Sequence, residues 1–163
     1  MIRTCRVAFI GALLVAGQAC NRNDPPAPQP TISPRHTDTT QPRIVSLSPA
    51  LTEVLFAVGC GAALVARDGW SDYPPEARAA PKLTGLVPPV EAVVAMRPSV
   101  VLSHFPPASL RAGLDAAGVR WLGLAPKRLS DVAGTFATVA RTCGREAHGA
   151  QLADAWRAGV RDV

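Results

Sequence analysis

The 163-residue sequence lacks most of the signatures that mark catalytic chains. It has no "GxSxG" turn. "GWSDY" (69–73) lacks the final glycine and runs into prolines, so no nucleophile elbow is present. "GCGAAL" (59–64) carries two glycines but follows a helical pattern rather than a strand, the wrong context for a dinucleotide fingerprint. Neither a CxxC nor a paired-histidine motif occurs, so no zinc signature is found. The formal net charge is +5, but several arginines fall in the first 42 residues. No basic run interleaved with aromatics follows them, which argues against a nucleic-acid partner. The apolar run "VAFIGALLVA" (7–16) is too short to span a bilayer as a permanent helix. Neither catalysis nor a metal centre is expected.

What is present begins with an export signal over residues 1–20. Arg3 and Arg6 precede the apolar run, and the small residues Gly17 and Ala19 precede Cys20. A cysteine after small residues resembles a bacterial lipobox, although Gly17 stands where leucine is usual. The resemblance implies acylation of Cys20 and a lipid anchor at the extracytoplasmic face; ordinary signal cleavage after "GQA" is the alternative. Residues 21–42, "NRNDPPAPQPTISPRHTDTTQP", are rich in proline and nearly devoid of large apolar side chains. Such a stretch buries too little surface to offset its ordering entropy and is expected to act as an extended tether.

From Arg43 the pattern alternates between strands and helices. Strands are expected at 43–47, 63–67, 99–103 and 119–124. Helices are expected over 49–59, 90–96, 109–118 and 129–144. Ser48 and Pro49 suit an N-cap and first turn, and Gly59 suits a stop. This alternation predicts an α/β lobe over 43–145, with a parallel sheet covered by helices on both faces. Ligands of such sheets bind beyond the carboxyl ends of the strands, which puts Ser48, the segment "DGWSDYPPEAR" (68–78) and His104 on one rim. Cys60 and Cys143 each follow a helix that begins at that rim, so both should lie at the opposite pole. In an exported protein a Cys60–Cys143 disulfide is the natural expectation.

The order strand, "SLSPALTEVLFAVG", "SDYPPEA", Glu91 before an apolar helix, then "RPSVVL" resembles the N-terminal lobe of the ABC-transporter substrate-binding proteins of the cobalamin and iron-siderophore type. The likeness runs from Arg43 to about Gly144, and the "SDYPP" element tilts it towards the cobalamin-binding members. It implies two Rossmann-like lobes joined by one long helix, with the ligand held between them and no cofactor of the protein's own. Residues 146–163 would then begin the interlobe helix, with Leu152, Trp156, Val160 and Val163 on one stripe, and the second lobe would be missing. A truncated single-lobe interaction module without tight ligand binding is a further reading.

The resemblance implies cobalamin as ligand, with a ferric siderophore or haem as alternatives, and an inner-membrane permease as partner. Trp70 falls where relatives place a cleft aromatic; the bland alternative is a tryptophan covering its own core. His104 follows a strand at the crevice edge, where an imidazole can contact a carboxamide, a propionate or a metal centre, or simply be solvated. Ser48 reads first as a helix cap and second as a ligand contact. Tyr73, with Pro74 and Pro75, reads first as a stiff frame and second as a ligand contact, and Asp72 as a cap for the turn at "PEAR". Glu91 would be the acid that docks on the permease; its bland role is to complement the helix dipole.

Overall fold

The computed structural model describes residues 41–161. The expected signal segment, Cys20, the expected tether up to residue 40, and Val163 lie outside the described residues. In chain order the elements are β1 (Ile44–Ser46), α1 (Pro49–Ala57), β2 (Leu64–Arg67), α2 (Val90–Ala95), β3 (Val100–Ser103), α3 (Ala108–Ala116), β4 (Arg120–Gly123), α4 (Leu129–Arg141) and α5 (Glu146–Arg161). Short 3₁₀ turns occupy Gly61–Ala63 and Pro75–Ala79.

The four strands form one parallel sheet in the order β2-β1-β3-β4. β1 and β3 are buried on both faces, and their alternating side chains feed two separate cores. Ile44, Val100 and Leu102 pack under Leu51, Leu55 and Val58 of α1 and Val139 and Ala140 of α4. Val45 and Val101 point the other way, against Val93 of α2 and Leu110 and Leu114 of α3. Each fully buried side chain of that size contributes about 1.5–3 kcal/mol relative to exposure. The lobe therefore has helices on both faces, as the unbroken apolar runs of its inner strands require.

Ser48 starts α1 as expected: its backbone is extended and its Oγ accepts the Leu51 N–H at 3.4 Å. Pro49 fills the first helical position, where a missing N–H costs nothing. Gly59 ends the helix with φ +77°, a conformation that strains residues bearing a Cβ. α4 buries Ala133, Thr135, Val139 and Ala140 and leaves Leu129 at its start exposed. α5 meets it closely at Ala140: a Cβ on Gly149 would collide with the Ala140 Cβ. Trp156 Nε1 also donates to the Leu129 carbonyl at 2.6 Å, tying α5 to the start of α4. Cys60, after α1, is joined to Cys143, after α4, by a disulfide with a Cα–Cα distance of 6.2 Å. No helix of the described residues is long and apolar enough to cross a membrane.

Candidate functional site

The chain passes from β1 through α1 to β2 on one side, then returns to place β3 on the other side of β1. The strand order therefore reverses between β1 and β3, and the loops leaving their carboxyl ends diverge and open a crevice. A cleft of about 370 Å³ lies there, its floor made by Leu47 and Ser48 after β1 and by Ser103 and His104 at the end of β3. That volume falls within the range of small-molecule sites. Asp68 and Trp70 from the loop after β2 form one wall. Leu86, Val87 and Phe105 bring further apolar surface to the rim.

The floor is rigid for a local reason. Thr52 Oγ1 lies 2.9 Å from Ser46 Oγ and 3.0 Å from the Ser48 carbonyl, and all three residues are buried. The strand end, the cap and the first turn of α1 thus share one buried polar knot. Ser48 Oγ also sits 3.3 Å from His104 Nε2 and 3.5 Å from Nδ1, a long edge-on contact that ties the two strand ends together across the crevice. Within the first turn of α1, Pro49 has no N–H, Leu51 N–H goes to Ser48 Oγ and Thr52 N–H goes to the Ser48 carbonyl. Ala50 alone keeps a free N–H there, so this helix start offers little to an anion.

The loop at 68–79 is organised by its acids. Asp68 Oδ1 accepts the N–H of Trp70 (2.8 Å), the N–H of Ser71 (2.8 Å) and the hydroxyl of Ser71 (2.9 Å). This is an Asx turn closed by its own serine, and it holds out Trp70, which is 71% exposed. Arg67 is buried beneath the loop, with its guanidinium 2.8 Å from Asp72 Oδ1 and 3.3 Å from the Asp68 carbonyl. Asp72 therefore does not cap the turn at Pro75–Ala79, which has no side-chain cap. The buried cation competes for that carboxylate and wins, because an unpaired buried charge is costly.

Three of the residues expected on the rim, Ser48, Trp70 and His104, meet at the cleft. Tyr73 does not line it. Tyr73 is exposed and is joined to Pro74 by a cis peptide bond. Glu91 is exposed in the first turn of α2 and makes no ion pair among the described residues. Sequence reasoning placed Asp68 on the rim only as part of its segment, without singling it out, and missed Leu86, Val87 and Phe105. An Asp followed three residues later by Ser is a turn signal that would have singled out Asp68. The others sit in loops without periodicity, so no pattern marks them as surface.

Fold and cleft together are those of an α/β lobe built to hold a ligand. Comparison with known proteins agrees. The family described as "Periplasmic binding protein" matches residues 44–163. The Vitamin B12-binding protein of Pectobacterium carotovorum is 38% identical over 64 residues, which cover 37% of this chain and 22% of that protein. The solved periplasmic vitamin B12 binding protein BtuF of Vibrio cholerae superposes with a TM-score of 0.66 at 26% identity, covering 76% of this chain and 49% of that one. A periplasmic heme binding protein from Pseudomonas aeruginosa has the same fold, with a TM-score of 0.68 at 23% identity over 75% of this chain and 45% of its own. The chain belongs to the periplasmic binding protein family, in its cobalamin and iron-siderophore branch, whose members are solute-binding proteins of ABC transporters. It spans about half the length of the solved relatives and less of the curated one.

Proposed function

We propose that this chain captures a corrinoid, cobalamin in the first place, outside the cytoplasm and passes it to the permease of an ABC importer. The observation that carries the reading is the rim of the cleft. Trp70, Leu86 and Phe105 are 71%, 88% and 78% exposed around an open crevice, where a soluble lobe has no structural use for them. Flat apolar surface of that kind suits the face of a large macrocycle. Residues near the strand ends then offer polar contacts to its edge. The likeness to vitamin B12-binding proteins supports a corrinoid. Capture needs no covalent chemistry; the cleft supplies apolar area and hydrogen bonds. In the same reading, Glu91 meets the permease from an exposed first turn, and an acyl chain on Cys20 holds the protein at the membrane.

The test is a titration of the full chain with cyanocobalamin, haemin and a ferric siderophore, followed by tryptophan emission and visible absorbance. Saturable binding that favours cyanocobalamin is the expected result. Preference for haemin or the siderophore would transfer the reading to that ligand. The mass of the mature N-terminus in the same preparation reports whether Cys20 carries lipid.

A further inference from the structure

The charges around the cleft are unequal, and the inequality has chemical content. Among the described residues lining it, Asp68 is the one carboxylate, and no lysine or arginine is present. Asp68 is only 7% exposed. Its Oδ1 is saturated by three donors from Trp70 and Ser71. Its Oδ2 has no hydrogen-bond partner among the described residues, where the one fully enclosed side-chain polar atom without a partner is Arg67 Nε. Asp68 lines the cleft, which is the side from which a ligand would reach its carboxylate. Neither neighbouring cation is paired with the Asp68 carboxylate. The Arg67 guanidinium pairs with Asp72. Lys82 lies over Gly69 and lines an adjoining cavity with Trp70 and Leu86, without an ion pair to Asp68.

A buried carboxylate oxygen left open in a site is an acceptor awaiting a donor, and it repels a second carboxylate placed against it. From this we infer that Asp68 is a specificity-determining residue, whose Oδ2 accepts an amide N–H from the ligand edge and turns away ligands that present carboxylates there. The inference rests on the corrinoid reading and sharpens it. Cobalamin carries primary amides on its periphery, whereas haem carries two propionates. The start of α1 acts in the same direction, since its first turn keeps one free N–H with which to meet an anion. Discrimination of this kind works by penalising the wrong partner as much as by rewarding the right one.

Asp68→Asn separates this role from the loop's own architecture. The asparagine Oδ1 still accepts from Trp70 and Ser71, while an NH₂ replaces the free oxygen and changes an acceptor into a donor. Full-length native and variant chains are titrated with cyanocobalamin and with haemin, and the ratio of the two dissociation constants is read. Asp68→Asn should weaken cyanocobalamin about tenfold and tighten haemin, moving the ratio by about two orders of magnitude. Asp68→Ser retains a turn acceptor without the charge; it should move the ratio the same way and serves if the asparagine variant does not fold. If both ligands weaken alike, Asp68 only shapes the Trp70 loop; an unchanged ratio likewise refutes the inference while the corrinoid reading survives. A native chain that binds haemin more tightly than cyanocobalamin, or binds neither, overturns both.

Discussion

The two poles of the sheet are built on opposite plans. At the amino-terminal pole the helix ends are closed covalently: Cys60 after α1 is bonded to Cys143 after α4, and α5 packs on α4 through a glycine. At the carboxyl pole the chain stays open, and Trp70, Leu86 and Phe105 face solvent around a crevice. Apolar area at the first pole is used in folding; at the second it is left for something else. The difference teaches that stability and recognition can be assigned to opposite ends of one small lobe, so that a change at either end is felt mainly there.

The largest test of that division is removal of the bridge. The disulfide spans a sequence separation of 83. By loop-closure entropy it contributes about 4–5 kcal/mol, or ~15–20 °C in Tm for a lobe of this size. Cys60→Ala with Cys143→Ala should lower the melting temperature by that order in a thermal scan. Affinity for the cleft ligand, measured well below the melting transition, should change less than about twofold. Equal losses in both would show that the poles are coupled.

The converse change is Trp70→Ala. Its exposed indole contributes little to folding, so Tm should move by no more than ~2 °C. Loss of its apolar contact should weaken cyanocobalamin by about ten- to thirtyfold in the same fluorescence or calorimetric titration. A large drop in Tm with unchanged binding would place Trp70 in the fold rather than in the site.

The smallest change tests whether a third surface is independent of both. Glu91→Gln should leave Tm and ligand affinity within error, since the side chain is exposed and unpaired among the described residues. Transport or permease binding, measured in reconstituted vesicles, should fall several-fold. Unaltered uptake would leave Glu91 as no more than a helix-dipole residue.

The two poles were not equally legible in the sequence. Strands and helices follow from periodicity, and the cap at Ser48 and the stop at Gly59 follow from single-residue chemistry. The position of the crevice follows from one topological rule, which brings Ser48, Trp70 and His104 together although they are separated by more than twenty residues at each step. What stayed hidden depends on partners brought close by tertiary structure. Asp72 has the composition of a cap, but a buried arginine from the preceding strand takes its carboxylate. The exposure of Leu86 and Phe105 has no local cause, because an apolar residue in a loop carries no mark of which way it faces.

α1 is held at both ends. One end carries Ser48, locked into the crevice floor by its contacts with Leu51, Thr52 and His104; the other end runs into Cys60, bonded to the end of α4. It is a strut clamped at its foot and braced at its head through the turn at Gly59, with no glycine inside the helix itself to act as a hinge. The crevice floor is therefore a stiff mould rather than a pliable jaw. Adaptation to ligands of different outline falls to the loops at 68–79 and 84–89, and the base against which they close keeps its shape.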